Sequence, residues 1–303
     1  MTDALRALLL TGAASALVAC GGAPDDSAAD PAVDDAPAAS VDAGERLSLA
    51  DAVADERRAD DADRDRFRNP QQTLEFFEVG PGQRVAEIWP GYYTPILAPY
   101  LADNNGTYVA VLYPEGLTEG LDRRVSAFRE QYADADTFGT IEYGSFLGGE
   151  INGVAVEPVI NGVADNSVDR VISRRNIHSW MGRDMADDAF AESYRILKPG
   201  GMMGVVAHRL PETRTQDPKA ATGYVQESYI KALAADAGFE FVGASEINAN
   251  PLDTADHPFG VWTLPPSSRL PDEGSVQAQD FDAEAYRNIG ESDRATLLFR
   301  KPA

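Results

Sequence analysis

The stretch Arg84-Val85-Ala86-Glu87-Ile88-Trp89-Pro90-Gly91-Tyr92-Tyr93-Thr94 decides how the rest of the chain is read. A short apolar run typical of a buried strand meets a Pro-Gly turn, and residues 94–101 then carry a helical pattern. Outward from it the strand–helix unit recurs. Residues 107–113 repeat the strand signal and residues 117–132 supply its helix, while residues 137–143 form a third strand candidate. Val168-Asp169-Arg170-Val171-Ile172-Ser173 is a fourth, followed by a helix over 185–197 that Lys198-Pro199-Gly200-Gly201 stops. Residues 202–208, 239–247 and 295–300 complete seven strands. A helix over 224–237, closed by Gly238, separates the fifth from the sixth, and Asn69-Pro70 opens a helix ahead of the first. Strands that alternate with helices imply right-handed crossovers and a mostly parallel sheet covered on both faces. The expected fold class is therefore α/β, doubly wound and Rossmann-like, with a dinucleotide dehydrogenase as the alternative of the same class.

The chain has 303 residues, 44% hydrophobic and 25% charged, which suits one large domain with extensions. Its formal net charge of -23 disfavours nucleic acid and anionic lipid surfaces, because binding either needs clustered Lys and Arg. A small-molecule substrate is the partner expected. The single cysteine, Cys20, precludes an internal disulfide, and it closes Leu17-Val18-Ala19-Cys20 after an apolar stretch over residues 4–18. That stretch is long enough for a signal-peptide core and short for a membrane span. From Gly21 to Asp63 the sequence is rich in Ala, Asp, Pro and Gly, with few large apolar residues. The expected domains are a signal peptide over 1–19, an acidic disordered tether over 20–63, and a folded domain over 64–303. A weak helical spacing of Leu49, Ala52 and Val53 lies inside the tether.

Leu17-Val18-Ala19-Cys20 resembles a bacterial lipobox, which implies cleavage before Cys20 and lipidation of its sulfur. The protein would then face the periplasm, attached to the membrane by lipid alone, and Gly21 in place of an aspartate suggests sorting to the outer membrane. The n-region departs from that pattern, with Arg6 offset by Asp3.

Strand four, its helix and Leu197-Lys198-Pro199-Gly200-Gly201 resemble the corresponding part of class I S-adenosylmethionine-dependent methyltransferases. Glu87-Ile88-Trp89-Pro90, Asn176-Ile177-His178-Ser179-Trp180 and Asp256-His257-Pro258-Phe259-Gly260-Val261-Trp262 together resemble a group of exported bacterial predicted methyltransferases, across roughly residues 64–302. The resemblance implies a seven-stranded sheet whose last strand is antiparallel, with S-adenosylmethionine as cofactor. It places Glu87 near the cofactor's amino group, Gly91 where the backbone approaches the cofactor, and Glu115 at the ribose hydroxyls. Glu142 and Tyr143 fall near the adenine. Trp89, Tyr92 and Tyr93 stand in the first loop where the family usually has further glycines, so that loop is either a cofactor turn or a packed aromatic turn. Glu115 reads equally well as a solvated acid at a helix start.

The three histidines map to one rim in this reading: His178 after strand four, His208 ending strand five, and His257 in the loop before strand seven, beside Arg174, Arg175, Asn176 and Arg209. His178 is the preferred general base, since a neutral imidazole can take a proton near neutral pH, and Asn176 would orient the substrate. Packing roles remain the alternative for each histidine. No close His/Cys spacing marks a metal site, and no nucleophile elbow or phosphate loop is present. Two functions are carried forward: a methyltransferase acting on a small molecule, and an envelope ligand-binding protein that kept the scaffold without the chemistry.

Overall fold

A computed structural model describes residues 46–303. The expected signal peptide, Cys20 and the first part of the expected tether lie outside the described residues. Nine strands are present among them: β1 Arg84–Ile88, β2 Thr107–Leu112, β3 Glu142–Ser145, β4 Gly149–Ile151, β5 Val154–Val156, β6 Val168–Arg174, β7 Leu197–His208, β8 Glu240–Ser245 and β9 Arg294–Arg300. Seven form one sheet in the order β3-β2-β1-β6-β7-β9-β8, and β4 and β5 form a separate hairpin. β9 runs antiparallel to both neighbours, whereas β1, β2, β3, β6 and β7 pair in parallel. The doubly wound sheet with its last strand reversed is the one expected from the sequence.

Both faces of the sheet are buried, and alternate residues of one strand enter different cores. Ala86 and Ile88 of β1 join Val109, Val171, Met203 and Leu297 on one face. Val85 joins Tyr108, Ala110, Ile172, Val206 and Leu298 on the other. The period-two pleat thus sorts an almost continuous apolar run into two layers.

The ordered fold begins earlier than Arg64. The helix Leu49–Ala54 is capped by Ser48, whose side chain accepts from the Asp51 N–H, and it buries Leu49 and Ala52 in the second core. Arg58 then donates to Asp65 at 2.8 and 3.0 Å. The weak helical spacing of Leu49, Ala52 and Val53 is thus a formed helix, inside the segment that acidic composition assigned to the tether. The third strand also moves: Ala135–Phe138 is a helical turn capped by Asp134, and β3 starts only at Glu142. The β4–β5 hairpin turns at Asn152-Gly153, both at positive φ, a pairing for which Asn-Gly is a strong sequence signal.

Candidate functional site at the switch point

Strand order reverses between β1 and β6, and ligands of doubly wound sheets bind beyond the strand ends at that point. Two cavities open there. The larger, about 350 Å³, is lined by Trp89, Pro90 and Tyr113 from the β1 and β2 ends, by Arg174, Arg175, Asn176 and His178 after β6, by His208, and by Trp262, Pro265 and Pro266. The smaller, about 250 Å³, shares Trp89, Pro90 and Tyr113 and adds Leu112, Arg124, Val125 and Phe128.

Two strained turns shape the larger cavity. Trp89 and Arg175 follow β1 and β6 at φ 50° and 60°, left-handed values that cost side-chain-bearing residues about 1–3 kcal/mol. Each is held by the next strand: the Trp89 N–H donates to Val111 at 2.8 Å, and the Arg175 N–H donates to Val206 at 2.7 Å. The Trp89 indole N–H also donates to the Phe146 carbonyl at 2.8 Å. Asn176 donates from Nδ2 to the Ile88 carbonyl at 2.7 Å and so ties the two turns together. It lines the cavity but acts first as a brace.

His178 opens the helix Ile177–Gly182, and its ring lies 5.5 Å from His208 and 5.9 Å from Trp262, centroid to centroid. Burial, reinforced by the Arg175 charge, lowers the His178 pKa to about 4. His208 is more deeply buried, shares a hydrogen bond with the Ser292 hydroxyl, and is held well below its ordinary range by desolvation and by the positive charge of its neighbours. Both rings are neutral at pH 7. His257 is elsewhere: its Nε2 lies 2.7 Å from Asp253, which also accepts from Tyr224 at 3.0 Å. The expected rim of three histidines is a pair. Arg209 is likewise spent, held by Asp293, Glu246 and Glu227.

None of the three acids expected at the cofactor lines either cavity. Glu87 is buried inside the sheet, where it accepts from the Tyr108 hydroxyl at 2.6 Å and from Thr94 at 3.3 Å, and burial raises its pKa. Glu115 is exposed and pairs with Arg129 at 2.9 Å, so Tyr113 takes the place at the β2 end. Glu142 sits at the start of β3 and pairs with Arg84, at the opposite edge of the sheet from the cavities. Its displacement follows from the late start of β3. Tyr92 and Tyr93 are core residues: Tyr92 donates to Asp65 beneath four arginines, and Tyr93 is 1% exposed. A Cβ at Gly91 would meet Arg174 Nη2 at 3.8 Å, an ordinary contact, so nothing crowds that glycine. Of the cofactor candidates Trp89 alone lines both cavities. Among the described residues no group of three His, Cys, Asp or Glu side chains is disposed to hold a metal ion.

The long loop before β9, which shows no convincing helix in the sequence, supplies one wall. Gly260–Thr263 is a 3-10 turn that presents Trp262. Gly260 stands at φ 55°, and a Cβ there would meet the Thr222 carbonyl oxygen at 2.2 Å. Only glycine fits both demands.

Residues 151–205, from the β4–β5 hairpin into β7, match the family described as "Methyltransferase domain". No curated protein matches the chain. Among solved structures it is similar to a SAM dependent methyltransferase from Aquifex aeolicus, at 15% identity over 67% of this chain and 94% of that one with a TM-score of 0.43. It is also similar to the YcgJ protein from Bacillus subtilis, at 14% over 78% and 99% with a TM-score of 0.44. A third is an arsenic(III) S-adenosylmethionine methyltransferase from Chlamydomonas reinhardtii, at 19% over 74% and 64% with a TM-score of 0.38.

Proposed function

We propose that the chain is an S-adenosylmethionine-dependent methyltransferase acting on a small molecule, with the cofactor over the β1–β2 ends and the acceptor in the larger cavity beside His178. The observation that carries this reading is that the two cavities adjoin through Trp89, Pro90 and Tyr113. A nucleophile in one can therefore face a methyl group presented from the other, and alignment of that kind accounts for much of the catalysis in such a displacement. The match over residues 151–205 supports the same assignment.

The residues fit the cofactor through stacking walls more than through carboxylates. Trp89, Tyr113 and Phe128 offer flat faces suited to an adenine. The usual diol-binding acid has no counterpart there, because Glu115 is turned to Arg129. When bound, S-adenosylmethionine would supply an activated methyl group on a sulfonium. His178, neutral at pH 7 because burial holds its pKa at about 4, offers a ring nitrogen that accepts a hydrogen bond from the acceptor, and Asn176 keeps the β6 turn in register with β1. Trp262, Pro265 and Pro266 form the far wall.

A second reading has its own observation. Glu115 and Glu142 both face away from the cavities, as they would in a scaffold that binds another ligand without methyl transfer. The Leu17-Val18-Ala19-Cys20 sequence supports a lipid-anchored envelope location for either reading. No helix among the described residues is long and apolar enough to cross a membrane.

Native mass spectrometry of the protein released from its own envelope fraction separates the two readings. Recovery with S-adenosylmethionine or its demethylated product supports the transferase. Recovery with a different ligand that S-adenosylhomocysteine fails to displace overturns it.

A further inference from the structure

We infer that the larger cavity takes the acidic end of its ligand, a carboxylate or similar oxyanion on a flat apolar body, and that Arg174 and Arg175 hold it. The inference rests on the acceptor assignment above and names the acceptor's class.

The first observation is a contrast among arginines. The chain has 49 acidic and 26 basic residues, so carboxylates outnumber cations almost two to one. Arg58, Arg68, Arg294 and Arg209 are each paired with buried or half-buried carboxylates. Arg174 and Arg175 make no side-chain hydrogen bond and no ion pair among the described residues, and both line the larger cavity. Arg174 Nε and Nη1 and Arg175 Nε are buried without an acceptor; Arg58, Arg68 and Arg294 each leave one buried nitrogen unbonded as well, but their other nitrogens are held by carboxylates, whereas Arg174 has only the faces of Tyr92 and Tyr93 beside it. Such orphaned donors cost about 1–3 kcal/mol each, more when charged, and ask for an explanation in a bound group.

Local charge points the same way. Arg68, Arg174, Arg175 and Arg294 converge here against two acids, Glu291 and Glu87, and burial pushes the Glu87 carboxyl towards its neutral form. Positive charge is therefore in excess in a poorly solvated place, while the whole molecule is strongly negative. A planar guanidinium fork is matched by a carboxylate or phosphate, which accepts two parallel hydrogen bonds. Beside the polar side chains of Asn176, His178 and His208, the wall carries flat apolar faces from Trp89, Trp262, Pro265 and Pro266, which suit an aromatic or similarly thin body.

A carboxylate could also come from the methionine part of S-adenosylmethionine. The two arginines line the larger cavity and not the smaller one beside Phe128, which favours the acceptor as the source.

The test uses the full chain, with benzoate and neutral benzamide as probes and S-adenosylhomocysteine as cofactor analogue. Binding is read by calorimetry in the wild type and in Arg175→Gln. Benzoate is expected to bind at least tenfold more tightly than benzamide in the wild type, to lose that preference in Arg175→Gln, and to bind protein already saturated with S-adenosylhomocysteine. The analogue's own affinity should change less than threefold in the variant. Equal binding of the two probes, or none at millimolar concentration, overturns the inference. Competition between benzoate and the analogue, with a tenfold loss of analogue affinity in Arg175→Gln, also overturns it and assigns the arginines to the cofactor. If benzoate depends on Arg175 but S-adenosylhomocysteine never binds, the anion site stands and the methyl-transfer reading fails. Should circular dichroism find Arg175→Gln unfolded, Arg175→Lys replaces it, with part of the preference retained because the charge remains and the fork is lost.

Discussion

The ring of Trp89 stacks on Tyr113, with centroids 4.9 Å apart and planes inclined by 29°. The pair forms the partition between the two cavities, since both residues line each of them. Trp89 reaches this position because it leaves β1 in a left-handed conformation and anchors its indole on Phe146, so strain in the turn is exchanged for a fixed aromatic wall. Tyr113→Ala is predicted to cost roughly 2 kcal/mol in urea unfolding, from lost stacking and burial. It should also weaken S-adenosylhomocysteine at least tenfold by calorimetry. Unchanged affinity would place the cofactor away from this partition.

Glu291 joins the N-terminal helices to β9. It accepts from Arg68 at 2.8 Å and pairs with Arg294, and all three side chains are almost fully buried. Burial alone would raise its carboxyl, but the two positive charges outweigh that and hold it at about 2. Its stabilising contribution is therefore complete above the ordinary carboxylate range and disappears as pH falls from about 4.5 towards 2. Glu291→Gln leaves two buried guanidinium groups without a counter-charge. A loss of about 3–5 kcal/mol is expected at pH 7, and by pH 2.5 the difference from wild type should have narrowed in thermal unfolding.

His178 and His208 bind protons less readily when folded than when unfolded, because burial and nearby arginines oppose the charged form. Stability is then full above the ordinary histidine value of 6.5 and declines as pH drops from there towards about 4. The double variant His178→Gln, His208→Gln should flatten this part of the pH–stability curve. A bound anion beside Arg175 would offset the charge that depresses His178. Its ring resonances, followed by NMR, should accordingly titrate at a higher pH with benzoate present than without it.

Gly260→Ala places a methyl group against the Thr222 carbonyl and forces an unfavourable φ. A loss of more than 1 kcal/mol is expected, together with displacement of Trp262 from the cavity wall. Tryptophan fluorescence of the variant should shift to the red, whereas Gly116→Ala, also at positive φ but in open space, should leave the emission unchanged.

How legible these features were in the sequence depended on how local their causes are. Strand β1 through Ile88, the helix Ala186–Ile196 and strand β9 follow from apolar runs bounded by turn residues, and each lies where that pattern put it. The helix Leu49–Ala54 shows in the spacing of Leu49, Ala52 and Val53, but acidic neighbours place it in the tether, and the Asn152-Gly153 turn signals a hairpin that the strand reading does not include. The site was harder to read. His178, Asn176 and Trp89 reach the cleft because they follow strand ends directly, which sequence can indicate. Glu115 and Glu142 are drawn off by Arg129 and Arg84, and such partners are set by tertiary approach. Arg174 and Arg175 looked like neighbours of the histidines, and only their missing partners mark them as the more informative pair.

The most direct test of the central claim is calorimetric titration of the full chain with S-adenosylhomocysteine, beside the same titration of Trp89→Ala. One binding site in the wild type, with affinity reduced at least tenfold in the variant, is the result predicted for a cofactor seated against the Trp89–Tyr113 partition. Absence of binding heat in the wild type at millimolar ligand, or equal affinity in both proteins, would contradict it.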